Sequence, residues 1–201
     1  MNARTLFSTV LAAALLAGAA GAQAPADGTL LVATSQLTDR NFAESVLLML
    51  HHGEDGSLGI LVNRPTNLRP ADVFADESPL DDYVGELFLG GPIGPDRLLF
   101  LLRAPAPGVL ESAPVVDDVY VSADPGVLAA LARGPLDPSR ARIYAGHAAW
   151  GPGQLDAEIA AGSWRIVPGS SAWVFAEQPL ALWRELARHT GSELIVAAPS
   201  R

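Results

Sequence analysis

The sequence lacks cysteine and lysine altogether, and each absence removes a class of chemistry. Without cysteine the chain has no disulfide, no thiol nucleophile and no thiolate ligand for a metal. Without lysine it cannot form a Schiff base or use an amine as a general base. Its 13 basic side chains are all arginines, against 22 acidic ones, and the formal net charge is −9. Because phosphate neutralisation supplies most non-specific affinity for nucleic acid, we expect no nucleic-acid partner.

What the chain does contain is enough apolar sequence for one packed domain. It has 201 residues, of which 49% are hydrophobic. Glycine and proline fall between the apolar runs, where they predict turns and loops. No internal repeat is evident that would indicate a solenoid or a propeller.

The N-terminal residues have the pattern of a secretory signal peptide. Arg4 supplies a positive charge, Leu6–Ala20 is an uncharged apolar run, and Ala20-Gly21-Ala22 is a small-x-small cleavage site. We predict a signal peptide over residues 1–22, a mature domain over residues 23–201, and a periplasmic or secreted location. The run is shorter than the ~20 residues of a membrane span, so we expect none in the mature chain. The alternatives are an uncleaved anchor, or a cytoplasmic protein whose start site is placed too far upstream.

Two apolar runs early in the chain predict a β-hairpin. Ser45–Leu50 and Leu58–Val62 are separated by a polar loop, His51–Ser57. Because both runs are apolar throughout, we expect both faces to be covered. Further strands are predicted at Thr29–Ala33, Leu87–Leu89, Leu98–Leu102, Val115–Val121, Ala141–Ala145, Trp164–Val167, Ala172–Phe175 and Glu193–Ala197, and helices at Leu68–Phe74, Asp124–Arg133, Gln154–Ala161 and Leu180–His189. This order predicts an α+β fold with a mixed sheet.

Three polar islands follow apolar strands and contain the candidate ligand-binding residues. These candidates are Asn63, Arg64, Gly90, Gly91, Asp96, Arg97, His147, Trp150 and Gln154. Such a set indicates either one shared site or a part of the fold that requires particular residues at these positions. The Gly90-Gly91-Pro92 turn can bring a backbone close to a neighbour, because glycine adopts angles that are closed to other residues.

Each island also has a structural interpretation. Arg64 can bind an anion, or it can pair with a structural carboxylate. Asp96 and Arg97 can hold the glycine turn, or backbone N–H groups there can line a polar site. His147 can serve as a base, but the sequence has neither a G-x-S-x-G nucleophile elbow nor a lysine-bearing phosphate loop.

His51-His52 lies in the loop of the predicted hairpin. Adjacent side chains on a strand point to opposite sides, so the two rings are badly placed to share a metal. We predict a solvated loop there, and we predict no metal and no cofactor for the protein.

Several short motifs in a fixed order resemble one family. They are Gly28–Ala33, the spacing of Leu37, Asp39, Phe42, Ser45 and Val46, the run Gly59–Pro65, Gly90-Gly91-Pro92 with Asp96-Arg97, the segment from Gly146 to Glu158, Trp164, and Trp183-Arg184. In this order they resemble the bacterial YqgE/AlgH family (UPF0301) over roughly Gly28 to Pro199. The resemblance implies a compact α+β domain whose mixed, strongly curved sheet tends to a barrel and is flanked by helices. It also implies a proposed regulatory role in alginate production.

The chain departs from the family pattern in three places. A signal peptide precedes the domain, whereas family members usually begin close to the first strand. His147 stands where a tyrosine is typical, and Arg103 lies near the end of a strand that usually carries a histidine. The resemblance supplies no established catalytic residues, so none is carried over.

The residues and the resemblance together favour a non-catalytic binding or regulatory domain. Its partner would be a small anionic ligand or a protein. The alternative is a hydrolase or transferase that uses a polar site around His147, Asp96 and Arg97.

Overall fold

The computed structural model describes residues 25–74, 80–81, 83–103, 112–127 and 137–188. The predicted signal peptide, most of the helix predicted at residues 124–133, and the strand predicted at residues 193–197 lie outside these ranges. Within the described ranges, no helix is long and apolar enough to cross a bilayer.

Nine strands in the described ranges form one sheet, and short helices pack on it. The elements are β1 (Leu30–Ala33), β2 (Val46–Gly53), β3 (Gly56–Leu61), α1 (Pro70–Val73), β4 (Leu87–Leu89), β5 (Ile93–Arg103), β6 (Ser112–Val116), β7 (Val119–Ser122), β8 (Ala141–Trp150), α2 (Gln154–Ala160), β9 (Trp164–Val167), α3 (Ser171–Val174) and α4 (Pro179–Arg188). The strand order is β6-β7-β5-β8-β3-β2-β1-β9, and β4 also pairs with β8. Only the β4–β8 pair is parallel. The α+β prediction with a mixed sheet is therefore confirmed, and the sheet is mostly antiparallel.

The sheet stays open, so the expectation that it tends to a barrel is wrong. Its edge strands, β6 and β9, do not pair with each other. Chain segments outside the strands lie close to these edges. A β carbon on Gly28 would clash with the Val115 carbonyl oxygen of β6, and a β carbon on Gly169 would clash with the Gly28 carbonyl oxygen. The two edges of the sheet therefore come close at this point without forming a ladder.

The β2–β3 hairpin is buried on both faces, as predicted. Val46, Leu48 and Ile60 enter a core that α3 and α4 complete. Leu47 and Leu61 enter a second core that α2 completes. Successive side chains of a strand point to opposite faces, so an apolar run such as Val46–Leu50 needs cover on both.

Two predicted elements are wrong in detail. The single strand predicted at Val115–Val121 is the β6–β7 hairpin, which turns at Asp117 with a φ of 49°. Aspartate tolerates this angle better than most residues because its short polar side chain bonds locally. The strand predicted at Ala172–Phe175 is helix α3, which Ser170 caps by accepting a hydrogen bond from the Trp173 N–H at 3.3 Å.

The glycines of two polar islands meet where two chain segments cross. β8 pairs with β4 and β5 along its first part and with β3 at its end, and Gly146 (φ 73°) lies between the parts. At this bend the Gly90 N–H donates to the Ala145 carbonyl, and the Gly90 carbonyl accepts from the Leu61 N–H, both at 2.8 Å. A β carbon on Gly90 would lie 2.2 Å from the Gly146 oxygen, and one on Gly146 would lie 2.6 Å from the Gly91 oxygen. The glycine turn thus approaches another strand of the same chain.

Replacing the glycine at this bend will destabilise the protein strongly. Gly146→Ala combines a positive φ with a backbone clash, so we expect it to lower the free energy of unfolding by roughly 2–5 kcal/mol. Gly151→Ala is the matched control, because nothing lies within 4 Å of a β carbon at Gly151. Urea unfolding of both variants measures the difference. Equal stability of the two would contradict the crossing.

Candidate functional site

Asn63 and Arg64 hold the turn that precedes β2. Asn63 is buried, its Oδ1 accepts from the Val46 N–H at 2.8 Å, and its Nδ2 donates to the Glu44 carbonyl at 3.0 Å. The Arg64 guanidinium donates to the Ala43 carbonyl. Both side chains therefore form hydrogen bonds with backbone groups. The partner of Arg64 is a backbone carbonyl, and not the carboxylate that the sequence suggested.

His147, Asp96 and Arg97 lie on the neighbouring strands β8 and β5, close to the glycine crossing. His147 is half-buried and pairs in register with Ile93, whereas Asp96 and Arg97 are exposed. No hydrogen bond joins these three side chains to one another. The structure keeps them in one neighbourhood without connecting them, and a hydrolase or transferase site there stays a prediction.

Trp150 and Gln154 are brought together by Glu158, which the candidate set omitted. Glu158 Oε2 accepts from the indole N–H of Trp150 at 3.1 Å and of Trp164 at 2.8 Å. Its Oε1 accepts from the Gln154 amide at 3.0 Å. Phe42 packs against both indoles, with ring centroids 6.2 and 5.9 Å away. This carboxylate therefore ties α2 to the ends of β8 and β9.

Sequence reasoning missed Arg142, which is the most unusual charged residue of the structure. It lies in the apolar first part of β8 and is only 6% exposed. Its guanidinium donates to the Val174 carbonyl at 3.0 Å and to the Ala176 carbonyl at 2.6 Å. It also lies over two rings, 4.9 Å from the centroid of Phe88 and 5.5 Å from that of Phe175. The one available signal was a lone arginine inside an apolar strand.

The charge of Arg142 has no carboxylate at ion-pair distance in the described part of the chain. Its Nε N–H is buried and has no hydrogen-bond partner among the described residues, and the Nε N–H of Arg165 is in the same condition. The Tyr144 hydroxyl, two residues along the same strand, is also buried, and the Arg142 guanidinium lies close enough to interact with it. Burial raises the pKa of Tyr144 to about 12, although the nearby arginine offsets part of this effect, so the phenol stays neutral. Among the described residues, the guanidinium is thus a buried cation surrounded by backbone carbonyls, a neutral phenol and aromatic rings.

A cleft of about 420 Å³ opens beside Arg142. Phe88 and Phe175 supply its apolar lining, and Glu86 and Glu177 supply two carboxylates. The cleft therefore presents an aromatic surface and charges of both signs to a ligand. A small-molecule site typically combines such a concave apolar surface with a few convergent polar groups.

The two histidines of the hairpin make separate local contacts. His51 Nε2 lies 3.0 Å from Asp55 Oδ1, and this hydrogen bond raises the pKa of His51 above its usual value. His52 Nδ1 lies 2.8 Å from Ser57 Oγ, and its Nε2 lies 3.5 Å from Asp156 Oδ1. This row has the residue types of a hydrolytic triad. Ser57 is nevertheless buried between β2 and β8, so we assign the row to tethering α2.

The described ranges contain no group of three or more histidine, aspartate or glutamate side chains that could hold a metal ion.

Comparison with known proteins gives one consistent result. A family model described as AlgH-like matches residues 30–195. A UPF0301 protein of Streptomyces avermitilis is 38% identical over 179 residues, which cover 85% of this chain and 90% of that protein. A UPF0301 protein of Methylococcus capsulatus is 35% identical over 169 residues, covering 82% of this chain and 88% of that protein.

Solved structures share the fold. A crystal structure of a Corynebacterium diphtheriae protein matches with a TM-score of 0.69 and 26% identity, over 89% of this chain and 94% of that one. The solution structure of the AlgH protein from Pseudomonas aeruginosa matches with a TM-score of 0.66 and 24% identity, over 89% of this chain and 98% of that one. The second match shows the fold alone.

Glu158→Gln will loosen the contacts between α2 and the two tryptophans. The amide keeps one acceptor oxygen but presents an N–H₂ group to donors, so we expect a loss of about 1–3 kcal/mol in unfolding free energy. A shift of tryptophan fluorescence should accompany it. Glu54→Gln, at an exposed carboxylate, is the control and should change stability by less than about 0.5 kcal/mol. Indistinguishable behaviour of the two variants would contradict the anchoring role of Glu158.

Proposed function

The chain belongs to the AlgH-like family, and from this premise we propose that it is a non-catalytic binding domain for a small ligand with an anionic group. The ligand would bind in the cleft beside Arg142. One observation carries the proposal: a buried guanidinium lines a cleft while no described carboxylate pairs with it.

The physical argument rests on the cost of a buried charge. An ion removed from water is costly unless it is paired and hydrogen-bonded. Two carbonyls and two rings offset part of that cost for Arg142. A guanidinium has five N–H donors in a planar fork, and carboxylates and phosphates match this fork with two parallel hydrogen bonds. A ligand carboxylate would supply the missing counter-charge.

Three other arginines are less suited to this role. Arg64 donates to a carbonyl in the turn before β2, and Arg97 is exposed to water. Arg165 binds the Leu186 and Ala187 carbonyls at the end of α4, much as Arg142 binds the end of α3, but it is only half-buried. Arg165 also lines a hollow, of about 310 Å³. Comparison with Arg165 therefore tests whether anion binding is specific to the cleft beside Arg142.

Small anions will bind to the wild-type protein and perturb the Arg142 side chain. We expect succinate, inorganic phosphate or glucuronate to shift the NMR signal of the Arg142 Nε–H while the Arg165 Nε–H signal stays in place. Arg142→Lys keeps the charge but loses the fork, so it should weaken binding at least tenfold, whereas Arg165→Lys should bind as the wild type does. The side-chain signal does not depend on either variant folding. Absence of binding by all three anions at millimolar concentration would overturn the proposal.

The periplasmic or secreted location also remains a proposal, and N-terminal sequencing tests it. Signal-peptide cleavage after Ala22 would give a chain that starts at Gln23. We expect that chain in the periplasm or the medium of the producing cell. A cytoplasmic protein that retains Met1, or that starts inside the mature domain, would contradict export.

A further inference from the structure

We propose that the ligand of the Arg142 cleft is amphoteric, with a cationic group at some distance from its anionic group. This inference rests on the proposed function, because it takes the anionic end to lie at Arg142. It adds a second subsite for the cation and so narrows the class of ligand.

The first support is the charge balance of the cleft itself. Among the described residues that line it, Arg142 is the only cation, whereas Glu86 and Glu177 are both carboxylates. Glu86 Oε2 accepts a hydrogen bond from the Asn67 N–H at 3.2 Å, which holds that carboxylate near the loop before α1. A ligand with only negative charge would gain attraction at Arg142 and meet repulsion from two carboxylates. A ligand that also carries a cation turns one of those repulsions into an attraction.

The second support is a neighbouring hollow that continues the cleft. It measures about 620 Å³ and shares Phe175 and Glu177 with the cleft at Arg142. Its further lining includes Glu185 and Gln178, and the described residues that line it include no arginine or histidine. Glu177 therefore lies where the two hollows join.

The wall shared by the two hollows is aromatic, which suits an aliphatic linker. Phe175 is only 8% exposed, and its ring is already flanked by Arg142 and Arg103, each 5.5 Å from the centroid. Arg103 is paired with Asp118 at 3.2 Å, so its charge is compensated. The ring offers contact for methylene groups between two charged ends. The ligand class is thus a carboxylate joined by an apolar chain to an ammonium or guanidinium group.

The test compares three probes that share one aliphatic chain: hexanoate, 6-aminohexanoate and hexylammonium. We expect 6-aminohexanoate to bind the wild-type protein at least tenfold more tightly than hexanoate, measured by titration calorimetry at one fixed ionic strength. Amino acids with shorter and longer chains, from 4-aminobutanoate to 8-aminooctanoate, should show an optimum length. An optimum is expected because both charged ends must reach their partners at once.

The Glu177→Gln variant tests the cationic subsite while leaving the anionic subsite at Arg142 unchanged. Glu177 is exposed, so the substitution should leave the fold intact. The variant should lose the advantage of 6-aminohexanoate over hexanoate and bind hexanoate at least as well as the wild type does. Glu54→Gln, at an exposed carboxylate on the β2–β3 loop, should keep the advantage.

The possible failures are distinguishable. Equal binding of hexanoate and 6-aminohexanoate would overturn the amphoteric ligand and leave the anionic site standing. An advantage that survives in Glu177→Gln would overturn the cationic subsite. If hexylammonium alone binds, or if neither hexanoate nor 6-aminohexanoate binds, the proposed function and this inference are both overturned.

Discussion

The fold depends on one close crossing of two backbones. The Gly90–Gly91 segment passes β8 at Gly146 with no room for a β carbon on either side. This contact lets β8 bend, so that its first part pairs with β4 and β5 and its end pairs with β3. Without the bend, one strand could not belong to both halves of the sheet. Side-chain packing can be repaired by small adjustments, but a backbone clash at this distance cannot.

The crossing also positions the cleft. β4 runs directly into the Gly90–Gly91 segment, and it pairs in parallel with β8 so that Phe88 lies beside Tyr144. Phe88 can then stack on Arg142, which belongs to the same strand as Tyr144. The other wall comes from Phe175 at the end of α3, whose neighbouring carbonyls bind the same guanidinium. Arg142 thus joins the sheet to the helices and is also the group proposed to meet the ligand.

The two polar clusters at opposite ends of β8 differ in how completely their hydrogen bonds are satisfied. Near the end of the strand, Glu158 accepts from three N–H donors and its neighbours pack around it. Near its start, the Nε N–H of Arg142 has no partner among the described residues. A satisfied buried network rigidifies a fold, whereas an unsatisfied one costs free energy and calls for an explanation. This contrast, together with the near-complete burial of Arg142 and the cleft that it lines, is why we assign the first cluster to stability and the second to binding.

The sequence by itself determined the local features of this protein. Apolar runs without polar residues predicted a hairpin buried on both faces, the Gly-Gly turn predicted a close approach, and the order of the motifs predicted the family. Only the tertiary structure decided which polar residues come together. It engaged Asn63 and Arg64 in a turn, gathered Trp150 and Gln154 on Glu158, and buried Arg142, which the sequence had left unremarked. Local patterns depend on neighbours in the chain, but the burial and pairing of a charge depend on contacts between residues far apart in sequence, such as Arg142 with Val174.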